Sequence, residues 1–460
     1  MEQQRTKQLN LTEGPILATL TRLAAPIMAT AFLSTAYTLT DAFWVGQLGA
    51  QAVAGVGTGG MYLWLAGGLI QLARTGGQVY TAQSIGAGDP NRAARFAGAA
   101  VRLALLIGII YGLICFFFAG PLISFFKLND PLSSSYAVSY LRITGGLIVF
   151  SFAVQVLTGL FTAEADSKTP FVCNVIGLAI NMILDPLLIL GPAFFPRLEA
   201  VGAAVATVIA QAAVLTAMVI SVLGKKKETG VLRHLLRVNG NKKHYADILR
   251  LSVPSAIQTM SYCAFSMILA RLIAPFGDAA IAVQRIGGQI ESVSWNVSDG
   301  FAAALNAFTA QNYGAGKKHR YVRGYYLSSG VLFLWGSLIA MLFLVFPTGI
   351  SSLFFHEADT IAISVGYLMI ISICEPFMCI EIITVSALSA LEKTKLSSII
   401  SITLTASRIP LALALCAAGL GVVSFWWALT LTSVAKGITF FITYSVINRP
   451  LQIHAVKKDA

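Results

Sequence analysis

The sequence predicts an all-α polytopic membrane protein of twelve transmembrane helices, arranged as two pseudo-symmetric six-helix lobes. Three observations predict it. Of 460 residues, 56% are hydrophobic and only 11% charged, against about 25% charged in a soluble globular domain. Apolar runs of the length a bilayer demands, about 20 residues, recur along almost the whole chain and leave no stretch for a separate soluble domain. The two halves also carry matching residues at a fixed separation.

Breaking the chain at polar and Gly/Pro positions gives spans near 16–45, 52–84, 92–120, 132–163, 168–192, 200–223, 246–274, 280–312, 321–347, 360–390, 395–417 and 421–447. The segment before the first, Met1 to Pro15, is polar and lacks the apolar core and small-residue cleavage site of a signal peptide, so the first helix is expected to be kept. Twelve crossings return the C-terminus to the side of the N-terminus. That side collects Arg5, Lys7, Arg92, Arg95, the basic run from Lys225 to Lys243, Lys317, Lys318, Arg320, Lys393, Lys395, Lys457 and Lys458, while the opposite connections hold Lys127 and Arg197. The positive-inside rule then places both termini in the cytoplasm, and the expected location is the inner (plasma) membrane. It also gives an N-lobe at 1–223, a cytoplasmic linker at 224–245, and a C-lobe with its tail at 246–460. The formal net charge of +12 reads as a topology signal, and no nucleic-acid partner is expected.

The first and seventh spans open alike: Arg22-Leu23-Ala24-Ala25-Pro26 pairs with Arg250-Leu251-Ser252-Val253-Pro254, an offset of 254 − 26 = 228. At the same offset Gly49 and Ala52 fall on Gly277 and Ala280. Thr81-Ala82-Gln83 and Gly86-Ala87-Gly88 fall on Thr309-Ala310-Gln311 and Gly314-Ala315-Gly316. A weaker echo pairs Lys168-Thr169 with Lys393-Thr394 and Pro186 with Pro410. Shared Arg, Pro, Gln and Thr in register separate this from the chance likeness of two Ala- and Leu-rich stretches. A six-helix half repeated without inversion keeps its topology, so the halves should relate by an axis near the membrane normal, with the substrate path between them.

A charged side chain at the centre of a lone transmembrane helix costs roughly 2.5–3.5 kcal/mol, so each one within a span asks for a role. In the first span Asp41 follows Tyr37 by one turn, and in the fifth Asp185 follows Asn181 at the same spacing, which puts each pair on one helix face. Two carboxylates, an amide oxygen and a phenol are hard ligands suited to Na⁺, and the carboxylates alone suit H⁺. The plainer alternative is a solvated Asp41 near the interface and a helix end at Asp185-Pro186.

The second span carries Gln71, Arg74, Gln78 and Thr81 at helical spacing, a stripe that lipid does not tolerate and that faces either a central cavity or a neighbouring helix. Its mates in the eighth span include Asp299, Asn306 and Thr309, with Arg285 and Glu291 earlier; the tenth span adds Glu375 and Glu381. These acids either form a cavity for cationic substrates or are neutralised by Arg285 or Arg271 in structural ion pairs. Arg408 in the eleventh span reads as structural.

No cofactor or enzymatic centre is expected. Cys115, Cys173, Cys263, Cys374, Cys379 and Cys416 lie in or beside apolar stretches without paired spacing, so buried free thiols are expected. The five histidines, His234, His244, His319, His356 and His454, are scattered through loops and the tail, far from the spacing of a His-Glu-x-x-His zinc motif.

Three stretches resemble one known family. Leu23-Ala24-Ala25-Pro26 followed by Thr40-Asp41-Ala42-Phe43-Trp44-Val45-Gly46-Gln47-Leu48-Gly49-Ala50, with Ala52, Ala54 and Gly55 after it, is similar to the first helix and loop of multidrug and toxic compound extrusion (MATE) transporters. Gln83-Ser84-Ile85-Gly86-Ala87-Gly88-Asp89 and Gln311-Asn312-Tyr313-Gly314-Ala315-Gly316 resemble that family's paired cytoplasmic turns. The likeness runs end to end. It implies two six-helix lobes opening alternately to each side, exporting amphipathic, often cationic, small organic molecules against inward flow of Na⁺ or H⁺. It also implies a cation site of Asp41, Tyr37, Asn181 and Asp185, with Thr207 as the sixth-helix partner and Tyr140 lining the same lobe. The substrate cavity would draw on Tyr140, Gln71, Arg74, Gln78, Gln258, Glu291, Asp299 and Glu375. Members coupled through the C-lobe carry an acid in the seventh helix, where this chain offers Gln258, so coupling through the N-lobe is expected. The partners implied are the substrate and membrane lipid, with the protein a monomer. A lipid-linked oligosaccharide flippase of the same superfamily is the alternative, on the strength of Arg74, Arg271 and Arg285.

Overall fold

The computed structural model describes residues 10–128, 130–191, 197–224, 232 and 240–456. Residues up to 9, most of the expected 224–245 linker and Lys457–Lys458 lie outside them. Among the described residues every regular element is helical. The first half runs through Ile16–Gly46 (α1), Ala50–Gly86 (α2), Pro90–Phe117 (α3), the short Ala119–Ser124 (α4), Pro131–Tyr140 (α5), Val149–Ala163 (α6), Lys168–Ile189 (α7) and Ala200–Gly224 (α8). The second runs through Lys242–Ile273 (α9), Asp278–Gly314 (α10), Lys318–Val345 (α11), Pro347–Ser352 (α12), Ala358–Ser372 (α13), Glu375–Ala390 (α14), Thr394–Ala406 (α15), Arg408–Leu415 (α16) and Val423–Val456 (α17).

Nine of the described helical runs are long and apolar enough to cross a bilayer, and two bent pairs bring the total to eleven. The pair α5–α6 bends by 47° and α13–α14 by 52°. A π-helical turn at Leu141–Gly145 accompanies the first bend and Pro376, in the first turn of α14, the second, both established causes of sharp kinks. The remaining expected span is α10. Its 37 residues are ample at about 1.5 Å per residue, but Arg285, Glu291, Asp299 and Asn306 hold its hydropathy below that of the others.

The repeat is carried by the backbone further than by the residues. Adding 228 to both ends of α2, α3 and α4 gives both ends of α10, α11 and α12. Gly49 and Gly277 precede their helices with φ of 100° and 103°, a conformation open to glycine and strained for other residues. After the third helix the spacing slips by one: Ala165 and Glu392, with φ of 62° and 61°, are 227 apart.

Packing divides the chain into two units, one of Asn10 and Ala25–Ala256, the other of Leu11–Ala24 and Ile257 to the last described residue. The boundary therefore falls inside α9, and the head of α1 belongs to the second unit. Hydrogen bonds within each unit account for this. In the first, the Gly76 N–H on α2 donates to Ser252 Oγ on α9 at 2.8 Å. In the second, Asn312 Nδ2 donates to the Leu11 carbonyl at 3.0 Å, and Lys317 Nζ to that of Thr12 at 2.9 Å.

The first unit packs Ile70, Phe96, Phe152, Leu160, Phe161 and Met218 at its centre, the second Val283, Phe343, Tyr367, Ile371 and Trp426. Outward, Phe125, Leu334 and Phe117 are 79%, 71% and 69% exposed, as side chains solvated by lipid should be. All six cysteines are free thiols; four are buried, and Cys263 and Cys416 are half-buried.

Candidate functional site

Four helices of the first unit build one polar cluster. Helix α1 supplies Tyr37 and Asp41, α7 supplies Asn181 and Asp185, α8 supplies Thr207, and Tyr140 is the last residue of α5. Asn181 and Asp185 are fully buried, Tyr140 is nearly so, and Tyr37, Asp41 and Thr207 are half-buried. Asn181 Nδ2 donates to Asp185 Oδ1 at 3.0 Å, so that carboxylate is oriented from within its own helix. The charges of Asp41 and Asp185 act on each other and on both phenols, and the Thr207 hydroxyl lies beside Tyr37 and Tyr140. All five residues expected to couple the cation are neighbours, and Tyr140, expected in the substrate cavity, sits among them. Helix α7 continues past Pro186 to Ile189, so Asp185 is not at a helix end: the proline withholds one backbone donor without stopping the helix.

Five buried oxygens of this cluster have no hydrogen-bond partner: Tyr37 OH, Asp41 Oδ1, Asn181 Oδ1, Asp185 Oδ2 and Thr207 Oγ1. An unsatisfied buried polar group costs roughly 1–3 kcal/mol, and native interiors rarely leave several together. Carboxylate and amide oxygens only accept, so a water, a proton or a cation would satisfy them. The donor set is all oxygen with two carboxylates, which fits a hard cation. Among the described residues no three His, Cys, Asp or Glu side chains gather as a transition metal would require. A cavity of about 200 Å³ reaches Tyr37 between α1, α7 and α8, lined also by Ser34, Thr38, Asn174 and Gln211. Helices α7 and α8 come close because Gly177 has no side chain: a Cβ there would lie 2.2 Å from Val214 Cγ2.

The second unit holds another acidic cluster of different character. Glu291 on α10 accepts a short hydrogen bond from Tyr367 OH on α13. The charge of Arg408 on α16 acts on Glu291, while its Nε and Nη2 donate to Thr432 Oγ1 at 2.9 Å and Ser433 Oγ at 2.8 Å. Glu375 at the head of α14 is fully buried beside Glu291 and Ser294, and both its oxygens lack a hydrogen-bond partner. Glu291, Arg408 and Tyr367 line a cavity of about 100 Å³ with Tyr262 and Trp295. Lys436 on α17, 97% removed from solvent, pairs with Glu381 at 2.8 Å.

Several expected residues go elsewhere. Arg271 and Arg285, the cations expected to neutralise these acids, are exposed, and Arg408 and Lys436 take that role from inside the unit. Gln258 accepts a hydrogen bond from Ser398 Oγ at 3.2 Å, and Asp299 is exposed. The stripe on α2 turns to a neighbouring helix: a Cβ on Gly159 of α6 would lie 3.1 Å from Gln78 Oε1 and 3.4 Å from Arg74 Cγ. Gln71 Oε1 accepts from Thr75 on its own helix. Asn174 and Gln211 were missed, although the first is two turns before Asn181 and the second one turn after Thr207. Lys436 gave no local signal, since its partner is 55 residues away in sequence.

A profile of the MatE family matches residues 26–187 and 254–414, two stretches whose starts are again 228 apart. The chain is 27% identical over 399 residues to a probable multidrug resistance protein NorM of Thermotoga maritima, covering 85% of this chain and 84% of that protein. It is 24% identical over 446 residues to a FAD transporter of Shewanella oneidensis, covering 96% and 97%. Its fold matches a MOP superfamily transporter from Pyrococcus furiosus, described as having a binding pocket of reverse polarity, with a TM-score of 0.89 at 20% identity over 97% of this chain and 99% of that one. An outward-facing multidrug resistance MATE family transporter matches at 0.87 and 21% identity, with the same coverage. An integral membrane protein of bent and straight helices whose two halves both match this profile belongs to the MatE family of multidrug and toxic compound extrusion transporters.

Proposed function

We propose that the chain is an antiporter of the plasma membrane, both termini cytoplasmic, that exports amphipathic organic cations. Alternating access is driven by H⁺ or Na⁺ entering at Asp41 and Asp185. The observation that carries this reading is the set of five unpartnered buried oxygens around two carboxylates with no cationic side chain among them. In the second unit Arg408 offsets one of the two acids, so the uncompensated charge favours the first unit as the place where an inorganic cation or proton binds. All contributing residues come from one unit, so a single chain completes the site.

Support for cationic cargo comes from the second cavity, where Glu291 stands with Tyr262, Trp295 and Tyr367, a pairing of acid and aromatic faces that suits organic cations. The relative that transports FAD favours a second reading, in which the cargo is anionic and Arg408 meets it. The flippase alternative gains nothing: Arg74 packs against α6, and Arg271 and Arg285 are exposed. The test is efflux from energised vesicles under imposed Na⁺ or pH gradients, with a fluorescent organic cation in one arm and FAD in the other. Transport of the cation driven by either gradient supports the proposal; transport of FAD alone supports the second reading, and no gradient dependence overturns both.

A further inference from the structure

At the heads of α3 and α9 the first unit opens a cavity of about 640 Å³, into which Arg92, Arg95, Lys243 and His244 project alongside Asp89 and Asp247. It belongs to neither cluster described above. Asp89 is engaged as the cap of α3, its Oδ1 accepting the Arg92 N–H at 2.9 Å. The Arg92 guanidinium lies 5.6 Å above the Phe96 ring. That ring stacks on Tyr80 at 4.8 Å and meets His244 edge-on at 4.7 Å, so the basic groups rest on a packed aromatic column. Among the described residues, the side chains of Arg92, Arg95 and Lys243 have no ion-pair partner or hydrogen-bond acceptor.

The other half shows what this place in the fold receives. Adding 228 to Arg92 gives Arg320, whose guanidinium donates to the carbonyls of Leu11, Glu13 and Gly14 at 3.2, 2.6 and 2.7 Å. Among the described residues, their counterparts before α9 do not serve Arg92. Asn241, the counterpart of Glu13, is turned to His244, with Oδ1 2.6 Å from Nδ1. Among the described residues, the same arginine position is thus saturated by oxygen acceptors in one unit and lines a cavity in the other.

We propose that this cavity binds a phosphate group, supplied by an anionic lipid headgroup at the membrane face that carries the basic connections. Guanidinium forks match phosphate oxygens bidentately, and basic pockets between transmembrane helices on that face recognise anionic headgroups. The proposal is independent of the coupling site and of the cargo.

The test uses the full chain in phosphatidylcholine nanodiscs, with binding of phosphatidic acid measured by native mass spectrometry and inorganic phosphate titrated in a separate arm. Each cation near a membrane surface contributes about fivefold in affinity, so R92Q/R95Q/K243Q should weaken phosphatidic acid binding on the order of 100-fold. K393Q/K395Q, which removes charge from another connection, should change it less than twofold. If the triple variant does not fold, K243Q alone should lose about fivefold. Binding of inorganic phosphate that the variant loses, without preference for phosphatidic acid over phosphatidylcholine, keeps the phosphate site but makes its source soluble. Wild-type binding by the variants, or no binding of either ligand by the wild type, overturns it.

Discussion

Replacing Asp185 with Asn isolates the charge at the proposed coupling site. The amide has nearly the same volume, and its carbonyl oxygen still accepts from Asn181 Nδ2, now 3.0 Å from Asp185 Oδ1, so the contacts within α7 are kept. What is lost is one unit of negative charge next to the bound cation. At about 4 Å and an effective dielectric of about 20, that attraction is worth about 4 kcal/mol, and the amide dipole retains part of it. A loss of roughly 2–4 kcal/mol corresponds to an ion affinity about 30- to 1,000-fold weaker. A ligand shifts a conformational equilibrium only by its differential affinity for the two states, so gradient-driven efflux should fall to background while cargo binding persists. The assay is efflux of a fluorescent organic cation from vesicles under imposed Na⁺ and pH gradients, with circular dichroism and gel filtration confirming the fold. Asp41→Asn should behave alike, and the double variant should be little worse than either single one, because groups acting as one unit do not add. Wild-type rates in either single variant under the same gradient would refute the assignment.

Three other outcomes are expected. Glu375→Gln should change which compounds are exported while the gradient still drives them; loss of gradient dependence in that variant alone would move the coupling site to the second unit. Arg408→Leu should destabilise because it removes the charge that acts on Glu291 and two buried hydrogen bonds to Thr432 and Ser433, each worth roughly 1.5–3 kcal/mol, and adding Glu291→Gln should recover part of the loss; unfolding midpoints in detergent check both, and an unchanged midpoint for the single variant contradicts this role of Arg408. Cysteines introduced near Lys226 and near Gly49 should label from opposite sides of intact cells, and labelling from one side rejects the orientation.

The spans were legible because a bilayer imposes a length and a polarity on each helix. Helix α10 was legible for another reason: its apolarity is weak, but the 228-residue repeat sets it against α2. Tyr37–Asp41 and Asn181–Asp185 were readable as pairs, since polar residues one turn apart in an apolar helix share a face whatever lies around them. Which face meets which neighbour was not readable. Arg74 and Gln78 turned to Gly159 of α6, and the cation beside Glu291 proved to be Arg408, 117 residues further along the chain, rather than the nearer Arg285. In a helix surrounded by apolar partners on one side and lipid on the other, hydrophobicity does not distinguish the two, and the amphipathic signal that orients soluble helices is lost. Thr207 and Tyr140 entered through family likeness alone, because a lone hydroxyl in an apolar span carries no pattern.

The repeat itself argues for a division of labour between the units. If both halves performed the same task, their acids should occupy equivalent positions, as their helix ends do. They do not. Adding 228 to Asp41 gives Leu269, and the 224 offset that aligns Pro186 with Pro410 sets Asp185 against Ile409 and Leu184 against Arg408. In the other direction, subtracting 228 from Glu291 gives Leu63, and the 227 offset of the bent pair sets Glu375 against Ile148. The first unit therefore places its acids on the first and fifth helices of the repeat, where the second unit has apolar residues, with an arginine two residues before the shared proline. The second unit places its acids on the second and fourth helices, where the first has leucine and isoleucine. A buried carboxylate is expensive wherever it stands, so two halves that kept a common backbone but moved their charges to different helices are not held to one shared ion site. One bare carboxylate pair and one pair offset by Arg408 are what an ion-binding half and a cargo-binding half would each require.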